Sequence, residues 1–387
     1  MMKTKTFVLA PDSFKESMTA REACLAMQHG LQRIFPDAKY DLCPMADGGE
    51  GTVDTIIDAQ QGQKVYITVS GPLHLYKVQT YFGLIDQGRT AVIEMAKANG
   101  IHLLTPNQRN PLLTSTYGTG ELIRAALDHQ VSKIIIGLGG SVTNDAGMGM
   151  ASALGVRFLD QFDQEVELGG GQLNQIVSID ITQLDPRLAD VEIVIATDVN
   201  NPLVGPHGAT YIFGPQKGAT PDMLIQLETN LCHFADIIQQ TLDISLHHVK
   251  GAGAAGGLAA GLMAFTTAKI QSGVETVIES IQLAQKIQAA DYIFTGEGGI
   301  DIQTQFGKTP IGVARLAKTF NKPVFVCAGY IGQGIEMLYE DGITAIFGIL
   351  DGASNIEQAC KNGPMNLTRT TENIGRLIKQ LESTETK

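Results

Sequence analysis

Short apolar runs alternate with stretches of helical period over most of the chain, the pattern of an α/β protein. "TFVLA" (6–10) reads as a first strand and "TAREACLAMQHGLQRIF" behind it as an amphipathic helix. Thr19 and Glu22 have the spacing of a capping box, and Cys24, Met27, Leu31, Ile34 and Phe35 share one helical face. "YDLCPM" (40–45) is a second strand. The same grammar returns in the last third, with "YIFTG" (292–296), a helix near 310–320, "PVFVCAG" (323–329) and "AIFGIL" (345–350). The middle differs. "KVYITVSGP", "VQTYFGLI" and "TAVIEMA" are closely spaced strands with turn signals, an antiparallel patch. "KIIIGLG" (133–139) and "VEIVIAT" (191–197) follow among glycine-rich turns and helices.

The expected fold is therefore α/β with two domains. A Rossmann- or flavodoxin-like parallel-sheet domain takes residues 1–64 plus 285–387, and a mixed α/β domain is inserted over 65–284. The polar tail "ESTETK" reads as frayed.

Polar residues collect just beyond the carboxyl ends of the strands. Asp12, Ser13 and Lys15 follow "TFVLA", and Asp47 and Glu50 follow "YDLCPM". Ser141, Thr143, Asn144 and Asp145 follow "KIIIGLG"; Asp198, Asn200 and Asn201 follow "VEIVIAT". Glu297 and Asp301 follow "YIFTG". Any one of these has an ordinary explanation, since Asp and Asn suit glycine-rich turns. Five together, at the end of the sheet where α/β proteins bind ligands, predict a polar active-site cleft.

Composition sharpens the chemistry. Gly accounts for 43 of 387 residues, about one in nine against roughly 7% on average, and clusters beside the strands. The net charge of −12 and the lack of a Lys/Arg block argue against nucleic acid or an anionic membrane as partner. The five cysteines show neither C-x-x-C nor zinc spacing, which suits small buried hydrophobes in a reducing compartment. The start of the chain reads as a strand rather than a signal peptide, and "GAGAAGGLAAGLMAF" (251–265) is too short and glycine-rich to span a bilayer. A cytoplasmic protein is expected.

Glycine-rich turns, carboxylates and a few lysines suit phosphoryl transfer assisted by Mg²⁺. An Asp accepts the proton of the attacking hydroxyl, and lysines offset the charge on the transferring group. Lys217 in "FGPQKGA" and Lys308 in "FGKTP" are such lysines. Gly307-Lys308-Thr309 looks like the tail of a Walker A loop, but Ile302 stands where its first glycine belongs. "GAGAAG" (251–256) matches a dinucleotide fingerprint, yet the preceding "SLHHVK" is a poor strand. A Gly/Ala run that lets a helix pack closely or meet a ligand explains it better.

With these motifs in hand, the chain resembles the bacterial glycerate kinase family, the type I enzymes acting on D-glycerate. The resemblance rests on "APDSFK", "PMADGGEGT", "RNPLLTSTYGTGELI", "GLGGSVTNDAGMGM", "DVNNPLVGPHGA", "FGPQKGA", "GAGAAGG", "TGEGGID" and "GKTPIGVA". It implies ATP- and Mg²⁺-dependent phosphorylation of glycerate, usually at the 2-hydroxyl, and two α/β domains with the active site in their cleft. Within that frame Asp198 is the preferred general base and Asp47 the next, with Lys15 as a catalytic cation. Asp145 and Glu297 are the metal candidates. Ser13, Gly139, Gly140, Ser141, Thr143, Asn144, Asn200, Lys217, Gly253, Glu297, Asp301 and Lys308 are candidates for holding substrate or nucleotide. The partners are small molecules, with a homodimer left open. Two departures stand out: Glu16 where the family often has Gly, and Gly299 where it usually has Arg.

Overall fold

The computed structural model describes residues 4–385, apart from Glu50, His74 and Leu75. The expectation for Glu50 therefore lies outside the described residues. The chain forms two compact units, Met1–Asp47 with Asp58–Gln60 and Val274–Lys387, and Gly48–Ile57 with Gln61–Gly273.

The first unit is built on a five-stranded sheet, in spatial order Lys39–Leu42, Thr6–Leu9, Tyr292–Ile300, Val324–Ile331 and Ala345–Gly348. Every pairing is parallel. Numbered along the chain the order is 2-1-3-4-5, the flavodoxin-like arrangement. Strands covered on both faces should be apolar throughout, and Phe7, Val8, Leu9, Ile293 and Phe294 are fully buried. Phe7 stacks on Tyr40 and Tyr292 at 5.4 and 5.5 Å.

Helix Ala20–Gln32 starts at the expected capping box: Thr19 and Glu22 exchange side chain-to-backbone bonds. It packs on the C-terminal helix Ile356–Glu385, and Gly30 permits the approach because a Cβ there would collide with the Thr368 carbonyl. Of the tail expected to fray, residues 382–385 are helical and 386–387 lie outside the described residues. Glu382 accepts a hydrogen bond from the Tyr292 hydroxyl and pairs with Lys5, both at 2.6 Å, which anchors the last turn.

The second unit carries a six-stranded mixed sheet ordered Lys269–Gln271, Glu192–Ala196, Lys133–Gly137, Thr90–Glu94, Lys77–Ile85 and Gln63–Ser70. The last three form the antiparallel patch expected from sequence, and Thr90–Glu94 runs parallel with the remaining three. A small antiparallel ribbon, Arg157–Leu159 with Ser178–Asp180, lies apart from it. The Gly/Ala run forms turns followed by helix Leu258–Phe265. Cβ atoms at Gly253, Gly256 and Gly261 would strike the carbonyls of Pro202, Thr143 and Ala146. These glycines serve close backbone packing, and Gly253 faces protein rather than open space.

Candidate active site

In an open parallel sheet the ligand crevice lies beyond the carboxyl ends of the strands, where two neighbours send their connections in opposite directions. In the first unit that point falls between Thr6–Leu9 and Tyr292–Ile300. Leu9 leads into Asp12, whose N–H donates to the Gly296 carbonyl at 2.8 Å. The Asp12 carboxylate accepts from the Thr309 hydroxyl and from the Ser13 N–H, both at 2.6 Å.

Glu297 sits inside the strand, in register with Ala328, rather than in the turn that "YIFTG" suggested. The ladder continues to Ile300 with glycines at its close approaches; a Cβ on Gly296 would meet the Cys327 carbonyl, and one on Gly329 the Gly298 carbonyl. Lys308 lies 3.4 Å from both the Glu297 carboxylate and the Gly299 carbonyl.

Burial pushes Glu297 up to about 7, with the Asp12 and Asp47 charges adding and Lys308 opposing. Asp12 is pushed up to about 6, by burial first and then by Asp47, against the bonds from Thr309 and Ser13. Two carboxyls that both resist ionising make this strand end a candidate for meeting positive charge. Asp47 is exposed at the rim of this group.

Other expected members of the first unit take different roles. Asp301 caps the short helix Ile302–Phe306, its side chain accepting from Gln303 N at 2.8 Å. Lys308 is the N-cap residue of helix Thr309–Thr319, with Pro310 in the first turn, so this stretch is a helix start and not a wrapped Walker loop. Lys15 is exposed in the tight turn from Phe14 to Met18. Glu16 in that turn has φ +63°, a conformation that glycine adopts without strain.

In the second unit the glycine loop from Gly48 lies on the carboxyl ends of the strands. A Cβ on Gly48 would come within 2.7 Å of the Ala196 carbonyl, and one on Gly139 within 2.6 Å of Gly49 Cα. Glu94, at the end of strand Thr90–Glu94, accepts from the Gly51 N–H at 3.2 Å and is almost completely buried. Burial raises its pKa, with Lys97 opposing. Sequence reasoning passed over Glu94, although a carboxylate closing the apolar run "TAVIE" was the available signal. Asp198 accepts from the Gly273 N–H at 3.2 Å, and Asn200 is exposed beside it.

Past Gly140, which has φ +76°, Ser141 is 8% exposed, while Thr143, Asn144 and Asp145 are fully buried. Lys217 is buried with them rather than solvated. Its ammonium donates to Ser141 Oγ at 2.8 Å and to the Thr143 carbonyl at 2.7 Å. Burial pulls its pKa down to about 7, against the Asp145 charge.

Asp145 accepts from Thr116 N, Thr116 Oγ1, Gly147 N and Gly149 N at 2.8–3.2 Å. Both of its oxygens are thus committed inside the protein, which makes it a structural staple and removes it as a metal ligand. Glu297 keeps the character of one. Among the described residues no three His, Cys, Asp or Glu side chains converge on a metal position. Mg²⁺ needs fewer, since it commonly takes one or two carboxylates and fills its octahedron with water and phosphate. Asp12 and Glu297, each with a raised pKa, fit that requirement.

Fold and site together define an α/β protein equipped to handle a phosphorylated ligand at strand ends. Residues 7–379 match the model of the "Glycerate kinase family". A glycerate kinase of Haemophilus influenzae is 49% identical over 372 residues, 96% of this chain and 98% of that one. The glycerate 2-kinase of Escherichia coli is 46% identical over 371 residues, 96% and 97% of the two chains. A crystal structure from Salmonella typhimurium LT2, described as a glycerate kinase 2, superposes with a TM-score of 0.90 at 44% identity, covering 98% of this chain and all of that one. The chain belongs to the glycerate kinase family. Among its described residues no helix is long and apolar enough to cross a membrane.

Proposed function

We propose that the protein is an ATP-dependent kinase that phosphorylates D-glycerate at the 2-hydroxyl, giving 2-phosphoglycerate and ADP. The reading is carried by the 46% identity, over 96% of the chain, to a relative named for that position of transfer. The carboxylate pair at the switch point of the first unit supports it. The hydroxyl oxygen forms a bond to the γ-phosphorus while the bond from phosphorus to the ADP oxygen breaks, and the hydroxyl proton passes to a carboxylate base. Asp198 in the second unit and Asp47 in the first are the candidate bases.

Mg²⁺ held by Glu297 and Asp12 would neutralise charge on the nucleotide phosphates when bound. Lys308, at the N-cap of its helix, offers a further cation to those oxygens. A cytoplasmic location belongs to the same reading.

The test is a coupled ADP assay with D-glycerate, with ³¹P NMR to distinguish 2- from 3-phosphoglycerate. ADP release independent of glycerate would overturn the reading, and 3-phosphoglycerate as product would overturn its regiochemistry. Asp198→Asn is expected to lower kcat by about 10²–10⁴-fold with folding intact, the range of a positioned base. Full activity in that variant would pass the role to Asp47.

A further inference from the structure

Lys217 ends the short turn Pro215–Lys217 and is 1% exposed. Taking an ammonium group out of water costs several kcal/mol, so an apolar side chain would fill this space with less penalty. The placement of its protons suggests what the lysine contributes. One goes to Ser141 Oγ and one to the Thr143 carbonyl, at 2.8 and 2.7 Å.

A serine oxygen that accepts a hydrogen bond still has its own proton to donate. Among the described residues the Ser141 hydroxyl donates to no partner. Thr143 Oγ1 and Asn144 Oδ1, both fully buried in the same loop, likewise lack partners among the described residues. Ser141 alone of these three reaches the surface, just past Gly140, where an added Cβ would meet nothing nearer than Ala96 Cβ at 3.4 Å. A charge-assisted bond from behind strengthens the hydroxyl as a donor in front.

We propose that Lys217 is a positioning residue, whose buried ammonium orients and polarises the Ser141 hydroxyl as a donor to an anionic substrate oxygen. That oxygen belongs either to the hydroxy-acid carboxylate or to an ATP phosphate, and the inference rests on the kinase reading above. Lys217 itself touches neither, which sets it apart from a surface lysine that pairs directly with phosphate. Its depressed pKa accords with an ammonium held away from water by this loop.

Steady-state kinetics of Ser141→Ala, Lys217→Met and the double variant test the proposal, with KM measured separately for glycerate and ATP. Each single variant should raise the same KM, about tenfold or more, as expected for losing a hydrogen bond to a charged group. Changes in kcat should stay small, and the double variant should be no worse than the weaker single. A rise for glycerate assigns the carboxylate, and a rise for ATP assigns the phosphate.

Unchanged KM values in Ser141→Ala, or effects that multiply in the double variant, overturn the proposal. Should Lys217→Met fail to fold, Lys217→Gln keeps a neutral donor and is expected to give an intermediate KM; a wild-type KM there would equally overturn it. Wild-type enzyme that does not turn over glycerate with ATP defeats the kinase reading before any variant is made, and this inference falls with it.

Discussion

Glu297→Gln should make the ligand-free protein more stable at pH 8. The carboxyl is raised from 4.5 to about 7, chiefly by burial and then by the charges of Asp12 and Asp47. At 1.36 kcal/mol per pKa unit, holding it ionised in the folded state costs about 3 kcal/mol. The sign follows from proton binding. Between pH 4.5 and 7 the folded state keeps a proton that the unfolded state releases, so stability falls as pH rises through this window. The full penalty is present above the folded pKa.

A neutral amide removes that penalty, giving a gain of about 2–3 kcal/mol at pH 8 and less than about 1 kcal/mol at pH 5. Urea denaturation of the ligand-free protein at both pH values reads it as a shift in midpoint with unchanged slope. The same variant should lose part of the thermal stabilisation that MgATP gives the wild type, since a ligand stabilises only the state it binds. A destabilised Glu297→Gln at pH 8, or a gain that is the same at pH 5, would refute the electrostatic account.

Glu16→Gly relieves a left-handed backbone at φ +63° and should gain about 1 kcal/mol in urea unfolding, and a loss would show that the Glu16 side chain makes a stabilising contact. Asp145→Asn sets an NH₂ group against backbone donors and should cost about 1–3 kcal/mol of stability. Unchanged stability with an altered Mg²⁺ requirement would instead restore Asp145 as a ligand. At Gly299 an added Cβ would meet only Tyr330, at 3.8 Å and beyond, so Gly299→Arg should fold normally. It should lower the KM of one substrate about tenfold if the side chain reaches an anionic group, whereas unchanged KM values would make the relatives' arginine structural.

Periodicity revealed the strands because buried parallel strands are short, apolar and flanked by glycine. It also located the capping box at Thr19. Three things escaped it, each for a physical reason. The helix Ile356–Glu385 contains Gly363 and Pro364, which read locally as a break, and tertiary packing against Ala20–Gln32 carries the helix past them. The strand holding Glu297 runs on through glycines that propensity would place in a turn. The solvation of a side chain has no local signature, so Lys217 and Asp145 looked like Lys15 and Asp47 although the first pair is buried and the second exposed. Asp12 was visible as a residue at a strand end, but its bond to Thr309 spans 297 positions.

The first strand of the first unit also has a consequence for biosynthesis. Thr6–Leu9 pairs on one side with Lys39–Leu42, available almost at once, and on the other with Tyr292–Phe294. At about 5–20 residues per second the ribosome needs roughly 15–60 s to deliver that second neighbour. Through this interval the apolar strand Thr6–Leu9 keeps one edge open while the whole inserted unit emerges and can fold. A nascent chain stalled before residue 292 should therefore bind chaperones through its first fifty residues, and release from the ribosome should coincide with closure of the sheet.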